Sequence, residues 1–261
     1  MSHESVAVLP YAQASSAEIV VRLAASEAEI AAAQRLRYRV FFEEMGAKPC
    51  SHALATGRDE DPYDQVCDHL LAIAGGEVVG TYRLINRAAA ARVGGFYSAS
   101  EFDIAPILAS GGRMLELGRS CVAPDWRNRG TLQALWHGLA EYIADNRIDL
   151  LFGCASLPGT DAERIAAPLA YLHQHHLAPA ELRACALPHR KVAAAAVAQF
   201  PSPLAAFRTL PPLLKGYLRA GAWIGEGAAL DEEFNTTDVL VILDTRAMAA
   251  RYQRRYEAEA V

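Results

Sequence analysis

The segment from Met114 to Asn146 limits most severely what this chain can fold into. MLELGRSCV (114–122) is a strong strand signal, and Pro124 interrupts regular structure directly after it. Arg127-Asn128-Arg129-Gly130 then makes a turn, and from Thr131 to Asn146 apolar residues recur at helical spacing (Leu132, Leu135, Leu139, Tyr142, Ile143). A buried strand, DLLFGCAS (149–156), follows at once. A strand, helix and strand in such close succession must share one core.

The rest of the pattern agrees. EIVVRLA (18–24) alternates as a first strand, and Ser26 with Glu29 reads as a capping box. The helix that follows is marked by Ile30, Leu36, Val40 and Phe41 and ends near Gly46; residues 47–67 read as a polar loop. HLLAIA and EVVGTYRLI are two strands joined by Gly75-Gly76, a two-residue hairpin signal. Residues 88–112 read as a linker with a short helix. Beyond the central unit come a helix near 161–173, an Ala-rich stretch to about 199 and a loop with Pro201, Pro203, Pro211 and Pro212. LLKGYLRAGAWIG, a strand DVLVIL and a charged terminal helix close the chain. This order predicts an α/β (α+β) fold, a mixed central sheet flanked by helices on both faces. The expected organisation is a flexible leader over 1–17 and one domain over 18–261.

At 261 residues with 52% hydrophobic content, such a domain has ample material for a core. A formal charge of -5 argues against a nucleic-acid binder and requires a local basic patch for docking any acidic protein. The five cysteines are scattered, with no C-x-x-C pair, so reduced thiols and a cytoplasmic location are expected, with no metal site. No secretory signal and no run of about 18 uncharged apolar residues is present.

The turn after the 114–122 strand is the chemical focus. N–H groups at a helix start carry partial positive charge, Gly130 permits close backbone approach, and Arg127 and Arg129 add charge, so the turn can hold a phosphate. An ordinary strand–turn–helix with solvated arginines fits the same residues equally well. Val122 through Leu132 resembles the acyl-CoA-binding motif of the GCN5-related N-acetyltransferase (GNAT) fold, with Arg127 and Gly130 matching. Leu132 replaces its final Gly/Ala, which points away from coenzyme A. The series Arg37-x-x-Val40-Phe41, Asp59-x-Asp61-Pro-Tyr63-Asp64, Arg83 and Glu116-x-x-Arg119 resembles acyl-homoserine lactone synthases, although Asp59 replaces their Glu and Ala47 a Trp. Finally, PPLLKGYLRAGAWIGEGAALDEEFNTTDVLVIL (211–243), RYRVFFEEMGA and ELGRSCVAPDWRNRGTLQALWHGLAEY resemble the ornithine Nα-acyltransferases, with 201–245 as the family-specific C-terminal segment.

That resemblance implies transfer of a 3-hydroxyacyl group from an acyl carrier protein thioester to the α-amino group of ornithine, giving lyso-ornithine lipid. Acyl-phosphopantetheine would be a co-substrate, with no tightly bound cofactor; acyl carrier protein is the expected partner, and peripheral contact with the inner membrane is compatible. Glu116 is the expected general base and Arg119 its catalytic neighbour, the alternative being a structural Glu116–Arg119 pair. Arg37, Asp59, Asp61, Asp64 and Arg83 are the expected amino-acid site, against a reading as ion pairs and a solvated acidic loop. Val122, Arg127, Arg129, Gly130 and Thr131 are the expected phosphopantetheine site. Backbone N–H groups near Cys121 and Val122 are the expected oxyanion donors if the strand splays there. The histidines at 173, 175 and 176 read as a solvated helix end, and Leu210–Ile224 as acyl-chain contact or core. The rival readings are an acyl-homoserine lactone synthase, another N-acyl amino acid synthase, and a non-catalytic module binding carrier protein or membrane.

Overall fold

The apolar runs of the sequence become one sheet of eight strands in the computed structural model, which describes residues 18–192 and 202–246. The strands are β1 (Ile19–Leu23), β2 (Asp68–Ala74), β3 (Glu77–Asn86), β4 (Phe102–Asp103), β5 (Met114–Val122), β6 (Leu150–Pro158), β7 (Cys185–Ala186), β8 (Trp223–Ile224), β9 (Ala229–Asp231) and β10 (Thr236–Asp244). The helices are α1 (Glu27–Tyr38), α2 (Ser51–Thr56), α3 (Arg87–Arg92), α4 (Ala105–Ala109), α5 (Arg129–Asn146), α6 (Ala162–His176), α7 (Pro203–Thr209) and α8 (Pro212–Ala220). The large sheet runs β1-β2-β3-β5-β6-β10-β8, with β9 also paired to β10, while β4 and β7 form a separate ribbon. Only β5 and β6 are parallel, so the sheet is mixed, as expected.

Helices cover both faces. Leu135, Leu139, Tyr142 and Ile143 of α5, on one helical stripe, pack with Leu70, Leu84, Leu115 and Leu117, and α6 and α8 add Leu172, Leu214 and Leu218 to that layer. Each such side chain contributes about 1.5–3 kcal/mol when fully buried. On the other face Ile85, Met114, Phe152, Leu240 and Ile242 pack with Ala89 and Ala90 of α3, Ile107 of α4, and Phe96. Leu36 of α1 and Val40, just beyond its end, pack with Cys121.

Local differences from the sequence expectation have identifiable causes. Ser26 caps α1 by accepting the Glu29 N–H, but Glu29 accepts from Ala25 and pairs with Arg22 instead of closing the box on Ser26. The helix expected to reach Gly46 does continue past Tyr38, as a π-helical segment over Arg39–Glu44. The expected loop over 47–67 contains α2 and a 3-10 turn, Pro62–Gln65, which Asp61 and Asp64 cap reciprocally. The expected leader 1–17, the end of the Ala-rich stretch, Pro201 and the charged terminal helix lie outside the described residues.

The feature that creates a site is the parting of β5 from β6. They pair only through Met114–Leu150, Leu115–Leu151 and Glu116–Phe152. From there β6 stays with β10 along its whole length and β5 stays with β3. The β3–β5 register shifts between Thr81 and Arg83, and Arg119 on β5 has φ 47. One extra residue in a strand bends it and sharpens its twist, which carries the end of β5 away from β6. Gly153 sits at the fork, where a Cβ would collide with the Leu117 carbonyl oxygen.

Gly153→Ala is therefore expected to lower stability by about 1–3 kcal/mol, because backbone must shift to admit a methyl group. Urea unfolding measures this; an unchanged midpoint would mean that the strands at the fork separate freely.

Candidate active site

The fork opens into a cavity of about 780 Å³ that passes through the sheet. On the α8 side its walls are apolar: Leu117, Leu151, Leu213, Tyr217 and Leu243, with Tyr82 beside Tyr217. The hydroxyls of these two tyrosines lie 3.5 Å apart. On the opposite side the walls carry Arg83, Tyr97, Glu116, Arg119, Asp231 and Asp238. Val122, Trp126, Arg127, Asn128 and Leu132 line the edge nearest the start of α5.

Glu116 is 2% exposed and faces this cavity. It does not pair with Arg119. Its Oε1 accepts from the Ser98 N–H at 2.6 Å and from the Ser98 hydroxyl, and its Oε2 accepts from the Tyr97 N–H at 2.8 Å. These donors open the 3-10 turn Tyr97–Ser100, so Glu116 also anchors that loop. Burial pushes the carboxyl pKa up, opposed by the hydrogen bonds from Ser98 and Tyr97.

The sequence placed Arg37, Arg83 and three aspartates at a substrate site. The structure brings them together but turns most of them on one another. Arg37, 1% exposed, donates from Nε to Asp59 Oδ2 at 2.7 Å and from both terminal nitrogens to Asp64 at 2.9 and 2.7 Å. Arg83 donates to Asp61 at 2.6 Å and to Asp64 at 3.3 Å. Of the expected amino-acid site, Arg83 lines the cavity, whereas Arg37, Asp59, Asp61 and Asp64 do not and form an ion lattice beside it. The physical reason is burial, since an unpaired charge there is far costlier than a paired one.

Arg119 borders this lattice on the cavity side. Its Nε lies 3.3 Å from Asp59 and its terminal nitrogen 3.5 Å from Asp61, yet Nε lacks a hydrogen bond of acceptable geometry. The guanidinium is held between Tyr97 and Phe234, 4.9 and 4.4 Å from the ring centroids, and it lines the cavity. The left-handed backbone at the bulge is what aims it there.

The expected phosphopantetheine turn reaches the cavity only in part. Arg127 and Val122 line the cavity, but Arg127 is taken by Glu44, 2.7 Å from its terminal nitrogen, and by the Val122 carbonyl at 3.0 Å. α5 begins at Arg129, two residues early, because the Asn128 side chain caps it by accepting the Thr131 N–H at 3.0 Å. Thr131 is 1% exposed, and neither it nor Gly130 lines the cavity. The Arg129 side chain lies outside the described residues. The expected splay at Cys121 and Val122 is present, leaving that edge of β5 without a strand partner. Burial pushes the Cys121 thiol up to about 12, which keeps it protonated and unfit as a nucleophile. His173 accepts the Gly227 N–H at 3.2 Å, and His175 stacks on Tyr171.

Sequence reasoning missed Tyr97, Ser98 and Glu101, which lie in an aperiodic linker, and Asp231, Phe234 and Asp238. Asp238 had a legible signal, an acid opening an otherwise apolar strand.

Residues 36–137 match the acetyltransferase (GNAT) domain family. The chain is 46% identical over 250 residues to an L-ornithine N(alpha)-acyltransferase of Agrobacterium fabrum, covering 92% of this chain and 85% of that one. It is 43% identical over 254 residues to the protein of the same name from Rhizobium meliloti, covering 94% and 86%. Among solved structures it resembles FeeM, an N-acyl amino acid synthase from uncultured soil microbes, with a TM-score of 0.53, 14% identity, and coverage of 90% and 96%.

The ion lattice makes a pH-dependent contribution to stability. Burial raises the Asp64 pKa, but the charge and hydrogen bonds of Arg37 outweigh it and hold that carboxyl well below the usual range. A depressed folded-state value stabilises fully above the unfolded pKa of about 3.9 and is lost as pH falls further. Asp64→Asn should therefore cost about 3–5 kcal/mol at pH 7, with the gap to wild type closing below about pH 4. Urea titrations at several pH values measure it; a gap independent of pH would remove the ionised carboxylate from the account.

Proposed function

Because the chain belongs to the L-ornithine Nα-acyltransferase family, we propose that it moves a 3-hydroxyacyl group from acyl carrier protein to the α-amino group of L-ornithine, releasing lyso-ornithine lipid. The observation that carries this reading is the cavity at the β5–β6 fork. It is apolar toward α8, where an acyl chain would lie, and charged on the opposite face, where an amino acid would lie. Only a site reaching through the sheet offers both environments to one product.

Glu116 acts as the base. Its Oε2 accepts a single hydrogen bond, so one acceptor position remains for the amine, and its burial favours taking a proton. The neutral amine attacks the thioester carbonyl carbon, the C–N bond forms, the carbonyl electron pair moves to oxygen, and Glu116 takes the proton that the attacking nitrogen loses. The resulting oxyanion is stabilised by N–H groups on the unpaired edge of β5. Collapse restores the carbonyl and breaks the C–S bond, and the proton held by Glu116 passes to the departing thiolate. Arg119, which lines the cavity, takes the acceptor's α-carboxylate.

Carrier protein is favoured over coenzyme A because Asn128 already occupies the Thr131 N–H, which leaves fewer helix-start donors for a pyrophosphate. Acyl-phosphopantetheine is then a co-substrate. No described helix is long and apolar enough to cross a membrane. Action in the cytoplasm, with peripheral contact where the lipid product is delivered, belongs to this same reading.

Purified protein given 3-hydroxyacyl-carrier protein and ornithine should yield an amide-linked product by mass spectrometry; no acylation of any basic amino acid would overturn the assignment. Glu116→Gln should lower kcat at least about tenfold and abolish the acidic limb of the rate profile. It should also lose about 1–3 kcal/mol of stability, since an amide group faces N–H donors there. A wild-type rate in that variant would remove Glu116 from the chemistry.

A further inference from the structure

Three buried acids beside the fork have no counterpart to the arginines that neutralise Asp59, Asp61 and Asp64: Asp231 and Asp238 line the main cavity, and Glu101 lines a smaller one next to it. Asp238, 4% exposed, is the third residue of β10, opposite Ser156 of β6; Glu101, 2% exposed, follows the Tyr97–Ser100 turn; Asp231, 7% exposed, ends β9. Carboxylate oxygens of Glu101 and Asp238 and the Cys154 sulfur all lie within 4.8 Å of one another. None of the three acids forms an ion pair within 4.0 Å among the described residues. Asp231 is satisfied by the N–H groups of Glu233 and Phe234, and Asp238 accepts from the Thr236 hydroxyl at 2.9 Å. Glu101 is different, because its Oε2 is buried without a hydrogen bond of acceptable geometry, with the Cys154 thiol as the neighbouring donor.

An ionised carboxylate left so is costly, and burial together with neighbouring acids raises the pKa of both Glu101 and Asp238. Arg119 and Arg190 are the cations felt by the pair, and neither reaches it. Glu101 lines the outer cavity, of about 430 Å³, together with Lys48 and Arg190, and the wall of that cavity shares Tyr97 and Asp231 with the main one. The group is also coupled to the chemistry. Glu116 binds the Ser98 hydroxyl, and Cys154 lies 3.5 Å from that hydroxyl. The Ser98 hydroxyl and the Cys154 sulfur therefore link the base to the acids.

We propose that Glu101 and Asp238, with Asp231 behind them, form the subsite for a side-chain ammonium of the acceptor amino acid. This rests on the acyl-transfer reading of the same cavity. Binding one cation would satisfy the orphan Glu101 oxygen and neutralise the pair. With Arg119 on the α-carboxylate, it leaves the α-amine as the nitrogen turned toward Glu116. Selectivity for a basic acceptor would then come from these acids and not from the 59–64 loop.

Norvaline, which is ornithine without its side-chain amine, isolates the effect. Wild-type protein should favour ornithine over norvaline by roughly 100-fold or more in kcat/KM, as where an analogue leaves buried groups unpaired. Asp238→Asn and Glu101→Gln should each reduce that ratio at least about tenfold. Equal losses for both acceptors, or an unchanged ratio, would overturn the subsite while leaving acyl transfer intact. Calorimetric binding of ornithine and norvaline, with no donor present, tests the subsite even without turnover: ornithine bound no better than norvaline overturns it. Zinc chloride alone supplies the remaining contrast. Tight one-to-one uptake lost in Asp238→Asn would make the cluster a metal site and overturn the proposal.

Discussion

When β5 leaves β6 after Glu116, each strand exposes an edge of backbone donors and acceptors that a continuous sheet would consume. Such groups cost about 1–3 kcal/mol each if buried without partners, so the fork is a place where a polar ligand is worth more than water. The bulge at Arg119 opens it, Gly153 allows the strands to touch just below it, and the continuous β6–β10 pairing holds the far wall rigid. Everything chemical in the molecule is arranged around that gap. Glu116 marks its base, α8 closes its apolar side, and the start of α5 frames its mouth.

Charge is partitioned just as sharply. Arg37 and Arg83 interlock with Asp59, Asp61 and Asp64, a set that is nearly self-neutralising and nearly dry. Its use is mechanical, because it fixes α1, the 59–64 loop and β3 relative to one another and so fixes Arg119. The acids at 101, 231 and 238 receive no such compensation. One lattice is complete without substrate and the other is not, which is why the same residue type reads as scaffold in one place and as recognition in the other.

The sheet and its main helices were legible because they rest on local signals: alternation in 18–24, glycines at 75 and 76, and helical spacing through 132–143. The mixed sheet with helices on both faces followed from element order. The roles of the acidic loop were not legible, since Asp59, Asp61 and Asp64 look identical whether solvated, bound to substrate or paired with Arg37. Only the three-dimensional meeting of residues 22 to 27 positions apart decides that. The start of α5 escapes the sequence because Asn128 reads as part of a turn when it is the cap. Glu101 sits in a segment with no period, so nothing local distinguishes it from linker.

A diffraction structure with the amide product, N-(3-hydroxyacyl)ornithine, tests the central claim most directly. The account predicts its acyl chain against Tyr217 and Leu213, its amide carbonyl along the free edge of β5, and its carboxylate at Arg119. Product bound outside the β5–β6 fork, or with its amide remote from Glu116, would contradict it.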